Sequence, residues 1–361
     1  MTLPTLAMHA RSELSELSEL SELSELSERS ERSERSERSE PSARCGRRRV
    51  WLAVCLSVFS PLAAAQTCSI GTPTLAFSAF SPISGAALSA TGTIPVSCTF
   101  PLLGGNPNVK LCLALNASQP LTLVNAGNAI NFGLFIDPAY STAWGNSTAN
   151  VIAVTMARNL LGGTVTQNVN IYARIAAAQN TVPTSSNGNT VYTHAFAATD
   201  ATLQYASYAA LSPAPACGSA MTAAAGTPFN ANVTVINNCT IAAMNITFAT
   251  QSTLGKPVTG NSMLTVQCTK NDAFRISLSG GLVGTVTARA MTGLTASRVS
   301  YQLYLDSGYS AVWGDGTAGT SQLTGIGTGF VQAVPIYAQV PAQATPAPGV
   351  YTDTVTATIQ F

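Results

Sequence analysis

From residue 66 onward, apolar and polar residues alternate in short runs, and no segment keeps an amphipathic helical period over three turns. The clearest run is VYTDTVTATIQF at 350–361. There Tyr351, Asp353, Val355, Ala357, Ile359 and Phe361 fall on one face, and the threonines and Gln360 on the other, as in a half-buried strand. Similar runs rich in Val, Ile, Thr and Tyr recur between Gly, Asn, Pro and Ser turns, which predicts β-sandwiches.

The pattern occurs twice. NFGLFIDPAYSTAWGN (131–146) aligns with SYQLYLDSGYSAVWGD (300–315), VNIYARI (169–175) with VPIYAQV (334–340), and VYTHAFAATDATLQY (191–205) with the terminal run. Order and spacing are kept, so this is a duplicated domain rather than a short solenoid repeat. The expected division is 66–216 and 217–361, with 227–238 as linker. The first copy differs in having Gly133, Phe135 and His194, and a three-residue insertion before Leu203.

Residues 1–65 are different in kind. A Ser-Glu-Leu and Ser-Glu-Arg tract with a period of three spans Arg11 to Glu40 and holds all ten glutamates of the chain. ARCGRRR, an apolar run and a small-residue site before Gln66 then follow in the order of a secretory signal, with cleavage expected after Ala65. That run is shorter than the roughly 20 residues of a spanning helix. Past Ala65 there are eight Lys and Arg against six Asp, which gives no field for nucleic acid.

Export makes disulfides the natural reading of Cys68, Cys98, Cys112, Cys217, Cys239 and Cys268. Cys68 and Cys98 stand thirty apart and Cys239 and Cys268 twenty-nine, in matching places, so one bridge per copy is expected. Cys112 and Cys217 remain as a third pair, although spacing alone does not fix connectivity. Catalysis has little to use: His194 is the one histidine past Ala65, the six Asp are scattered, and Glu is absent. No enzyme activity, metal or cofactor is expected.

The paired cysteines, Leu303-Tyr304-x-Asp306 followed by Trp313-Gly314-Asp315, Pro335-Ile336-Tyr337, and Gly349-x-Tyr351-x-Asp353 before an alternating strand resemble the spore coat protein U family. That family also builds Csu-type pili of the archaic chaperone-usher class. The resemblance implies all-β architecture: two tandem immunoglobulin-like sandwiches, the C-terminal one incomplete and completed by a donated strand. It implies export through the periplasm to a cell-surface fimbrium. The implied partners are a periplasmic chaperone, an outer-membrane usher and a single-domain pilin that gives the strand. The acceptor edge would be Tyr351, Val355, Ala357, Ile359 and Phe361, left open by a chain that stops there. Phe229, Ala231, Val233 and Val235 alternate like a donor strand and could complete the first domain in cis.

Gln66 and Thr67 before Cys68 are too few to donate, so in a fibre the chain is expected at the tip, mediating attachment and biofilm formation. Phe100, Leu102 and Leu103 in one loop and Leu160 and Leu161 in another are the candidates for contact with an abiotic or host surface, with the loop at 176–189 as a third place. The plainer reading is that these residues plug the ends of the sandwich. Two further readings stand beside the tip adhesin: a coat or matrix protein that does not polymerise, and a sugar-binding adhesin using Tyr140, Trp144 and Asn146.

Overall fold

Alternation becomes paired strands throughout. The computed structural model describes residues 5–13, 66–102, 104–218 and 220–361. The proposed leader and its cleavage site, most of the Ser-Glu-Leu tract, and Leu103 lie outside the described residues.

The first sandwich uses twelve strands: β2 (Thr67–Ile70), β3 (Leu75–Ala76), β4 (Leu88–Phe100), β5 (Asn108–Leu115), β6 (Leu121–Asn125), β7 (Asn128–Phe135), β8 (Ile152–Ala157), β9 (Gly163–Ile175), β10 (Thr190–Phe196), β11 (Ala201–Tyr208), β12 (Thr222–Ala224) and β13 (Phe229–Val235). One sheet has the order β2-β4-β9-β7-β6-β10-β13-β3, and the other β12-β11-β5-β8. Between them lies a single apolar cluster that includes Ile94, Val96, Leu111, Leu113, Ile171 and Val233. The thirteen-residue strands β4 and β9 pair from Leu88↔Ile175 to Phe100↔Gly163. At about 3.4 Å per residue they span roughly 40 Å, which defines two poles of this domain.

The second sandwich repeats the plan with β14 (Cys239–Ala243), β15 (Ile246–Thr247), β16 (Val258–Cys268), β17 (Ala273–Leu278), β18 (Arg289–Gly293), β19 (Arg298–Tyr304), β20 (Leu323–Ile326), β21 (Gln332–Val340), β22 (Tyr351–Thr352) and β23 (Thr354–Gln360). With an extra strand, β1 (Thr5–Glu13), they form the sheets β14-β16-β21-β19-β18-β22 and β15-β1-β23-β17-β20, around a second core.

Disulfides join Cys68 to Cys98, Cys112 to Cys217 and Cys239 to Cys268. The first and third link directly opposed residues at the start of each sandwich. The second ties the loop before β12 to β5.

The domains meet at one junction. Thr184 donates its hydroxyl to the buried Asp272 carboxylate. Nearby, Asn187 accepts from the Ala273 amide at 2.9 Å, and Asn180 donates to the Gly329 carbonyl at 3.2 Å. The loop at 176–189, expected as an adhesive surface, therefore belongs to the junction. It follows the Ile175 end of β9, where its polar side chains satisfy backbone groups of the second domain.

Candidate functional site: two strand slots and a loop pole

Strand β13 runs antiparallel along β10, in register from Phe229↔Phe196 to Val235↔Thr190. Its other edge meets β3 in parallel, where Asn232 and Thr234 carbonyls accept from the Phe77 and Phe80 amides at 3.0 and 2.8 Å. Both edges are thus paired, which removes the exposed ladder that a lone strand would present. Phe229, Ala231, Val233 and Val235 are all buried, and Asn230 and Asn232 face outward. The three larger side chains contribute roughly 1.5–3 kcal/mol each by leaving water.

The inserted segment is longer than the alternation indicated. Strand β12 continues it along β11, from Leu203↔Ala224 to Tyr205↔Thr222. Gly226 lies where the segment crosses between sheets: a Cβ there would stand 2.0 Å from the Ala198 carbonyl oxygen. The three-residue insertion before Leu203 is a turn at this crossing, closed by Asp200, whose carboxylate accepts from the Ala197 amide at 2.7 Å.

By the repeat β22 answers β10 and β23 answers β11, so the edge of β23 matches the one that β12 covers in the first domain. The sequence reading expected this edge to be open, but β1 covers it, parallel to β23 from Ala7↔Thr354 to Glu13↔Gln360, and antiparallel to β15. An edge strand with unpaired amides and carbonyls takes up an extended segment, here TLAMHARSE, which lies upstream of the leader expected from the sequence. These equivalent edges are covered with opposite polarity, β12 running antiparallel to β11 and β1 parallel to β23. The acceptor residues also divide. Val355, Ala357 and Ile359 lie buried on β23, and Phe361 packs half-buried against the same core. Tyr351, by contrast, is on β22, which pairs with β18 in the other sheet. The run breaks at Asp353, whose carboxylate accepts from the Tyr301 hydroxyl at 2.7 Å and the Leu282 amide at 2.8 Å. Burial, with this hydrogen bond, raises the Tyr301 pKa far above the usual phenol range.

At the pole away from the junction, three loops adjoin. The Arg158 guanidinium donates to the Gly104 carbonyl at 3.0 Å, the Arg158 amide to Pro107 at 2.8 Å, and Asn106 to the Ser207 hydroxyl at 3.0 Å. Leu102 is 73% exposed, Leu160 102% and Leu161 81%, so these three do not plug the sandwich. Phe100 does: it ends β4 at 2% exposure, because its side chain falls on the inward face of the alternation. Leu211, 102% exposed in the loop after β11, was missed. Its signal in the sequence was an apolar residue isolated in the Pro-rich stretch LSPAPAC.

Trp144 and Trp313 are buried, and their indole N–H groups donate to the Leu113 and Ile276 carbonyls at 3.0 and 2.9 Å. Their shared role is structural, and Trp144 offers no platform to a sugar. Among the described residues no group of three His, Cys, Asp or Glu could hold a metal ion.

Among solved structures, the CsuC-CsuE chaperone-tip adhesion subunit pre-assembly complex of Acinetobacter baumannii aligns with 82% of this chain and all of that chain, at 19% identity and a TM-score of 0.45. The CupB6 tip adhesin from Pseudomonas aeruginosa aligns with 80% of this chain and 98% of that one, at 9% identity and a TM-score of 0.32. Both likenesses are weak in identity and in superposition. Protein U of Myxococcus xanthus is 36% identical over 117 residues, or 30% of this chain and 64% of that protein, so the chain spans a little under two thirds of this curated relative. The family model of the Spore Coat Protein U domain matches residues 53–199 and again 225–358. Matched twice and over well more than half its length, the chain belongs to the Spore Coat Protein U domain family.

Proposed function

We propose that the chain is an exported two-domain adhesive subunit of a chaperone-usher pilus, placed at the tip. The observation that carries this reading is the grouping of Leu102, Leu160, Leu161 and Leu211 on adjoining loops at the pole away from the second domain. Exposed apolar side chains gathered on one end suit attachment to a hydrophobic surface. The first domain is complete with its own Phe229–Val235, so the slot that takes a partner is the one along β23. In the exported protein β1 leaves with the leader, a periplasmic chaperone fills the slot, and a single-domain pilin replaces it at the usher. The test is export of the full chain with its chaperone and pilin. A strand-exchanged complex that resists mild denaturation is the expected result, and failure to form one overturns pilus assembly.

A second reading is favoured by one observation: the slot along β23 is filled by the chain's own β1. A subunit that caps itself needs no partner, as suits a coat or matrix protein. In that case the purified protein retains Thr5–Glu13, and its amino-terminal sequence shows it.

A further inference from the structure

The side of the first domain carries a cleft of about 500 Å³ near the junction pole. Pro120, Phe135, Ala143, Ala176 and Ala177 give it apolar walls, and Arg174 stands at the rim. Arg174 is exposed, and its guanidinium carbon lies 5.4 Å from the centroid of the Tyr140 ring, which also meets Phe135 edge to face at 5.6 Å. Tyr140 thus orients both the cation and the aromatic wall. The acid of the same turn is not available to the arginine's charge as a free partner: Asp137 accepts from the amides of Ala139, Ser141 and Thr142 at 3.0, 3.1 and 2.7 Å.

The duplication supplies a control. The turn is common to both copies, with Asp306 and Tyr309 in the second making the same amide bonds and the same edge-to-face contact with Tyr304. What differs is the cross-strand pair beneath it, Gly133↔Arg174 in the first copy and Gln302↔Gln339 in the second. Gln302 occupies its site, donating to the Val286 carbonyl at 3.1 Å and accepting from the Arg289 guanidinium. Gly133 has no side chain, and a Cβ there would stand 2.9 Å from the Phe135 ring, so glycine is what lets that ring lie against the strand. Where the second copy has two glutamines, the first has a glycine and an exposed cation.

We propose that this cleft binds a small carboxylate borne on an apolar ring, the ring against Phe135 and the alanines and the carboxylate paired with Arg174. A planar guanidinium matches a carboxylate in two parallel hydrogen bonds. An apolar ring fits better than a sugar acid because the walls offer few polar groups. The Gln119 carboxamide is spent on the Leu134 and Trp144 backbone, at 2.7 to 2.9 Å. The site is separate from the leucine pole and independent of the adhesive reading.

The experiment is ligand-detected saturation-transfer NMR on the full chain with phenylacetate, phenylacetamide and glucuronate. Phenylacetate is expected to bind with a Kd of about 1 mM, and at least tenfold more tightly than either of the others. Arg174→Gln, which installs the second copy's residue at an exposed position, should weaken phenylacetate at least tenfold with an unchanged thermal midpoint. No saturable phenylacetate binding, equal binding of phenylacetamide, or unchanged affinity in Arg174→Gln would overturn the site. Glucuronate binding as tightly as phenylacetate would overturn the ligand class.

Discussion

The rings of Phe196 and Phe229 stack face to face, with centroids 4.3 Å apart and planes 8° from parallel. They are directly opposed in the ladder of β10 and β13, and both are buried. A slip of one residue would bring Asn230 into that place and turn every apolar side chain of the inserted strand outward. The stacked pair therefore fixes the register in which the chain completes its own first domain.

Replacing Phe229 by alanine should lower the stability of the first domain by about 3–5 kcal/mol, the loss typical of a buried aromatic ring. Asn230→Ala, one residue on and exposed, should change it by less than about 0.5 kcal/mol. Chemical denaturation of the two variants beside the wild type checks this. Equal midpoints for Phe229→Ala and wild type would mean that β13 is not part of the cooperative unit.

The three disulfides should differ in value. Cys112 and Cys217 are 105 residues apart, against 30 and 29 for the other two pairs. In the chain-entropy account the longest loop gives the largest effect, about 4.7 kcal/mol against roughly 3–4. Cys112→Ser with Cys217→Ser should therefore lower the unfolding midpoint more than Cys68→Ser with Cys98→Ser. The reverse order, measured under non-reducing conditions, would point to native strain or residual structure as the stronger influence.

Pattern carried much of this structure. Period-two alternation placed the strands, and the repeat placed a cystine bridge and a buried tryptophan at matching sites in each copy. The structure adds a paired exchange that the alignment did not single out: where Tyr301 donates to Asp353 in the second domain, Phe132 meets the His194 ring at 5.7 Å in the first, and His194 bonds instead to the Thr122 carbonyl. What pattern did not reveal depends on tertiary position. Phe100 reads as loop because Pro101 follows it, yet pairing with Gly163 extends β4 through it. The loop at 176–189 looks like an exposed insertion until the second domain is set against it. Leu211 has no counterpart in the repeat, and the pairing of Thr5–Glu13 with β23 joins residues from opposite ends of the chain. No local signal specifies that pairing.

Asp272 gives the junction a pH dependence. Burial holds its carboxyl above the usual value of 3.8, and the Thr184 hydroxyl offsets part of that effect. The folded state then binds the proton more firmly than the unfolded state, so stability falls as pH rises from about 3.8 through the raised value and is level above it. Asp137, Asp306 and Asp315 are shifted downward, and their effect lies below that window. Asp272→Asn, whose amide oxygen can still accept from Thr184, should abolish the slope and be at least as stable as wild type at pH 7. Thermal midpoints from pH 4 to 8 measure it, and an identical slope in the variant would assign the titration elsewhere.

The leucine pole is the part of the first domain where function and stability can be separated. Leu160 and Leu161 are almost wholly exposed, so replacing both with serine should shift stability by less than about 0.5 kcal/mol per site. If the pole makes the contact, each leucine taken out of water against a hydrophobic surface contributes roughly 1.5–3 kcal/mol. Loss of two should then weaken attachment to polystyrene by more than a hundredfold, while leaving attachment to a hydrophilic glass surface unchanged. Leu102→Ser and Leu211→Ser should act in the same direction, because their loops adjoin. Leu294→Ser, equally exposed but in the second domain, serves as the control and should have no effect. Attachment that falls equally with Leu294→Ser would show a dependence on total exposed apolar area, and would remove the loop pole from the adhesive role.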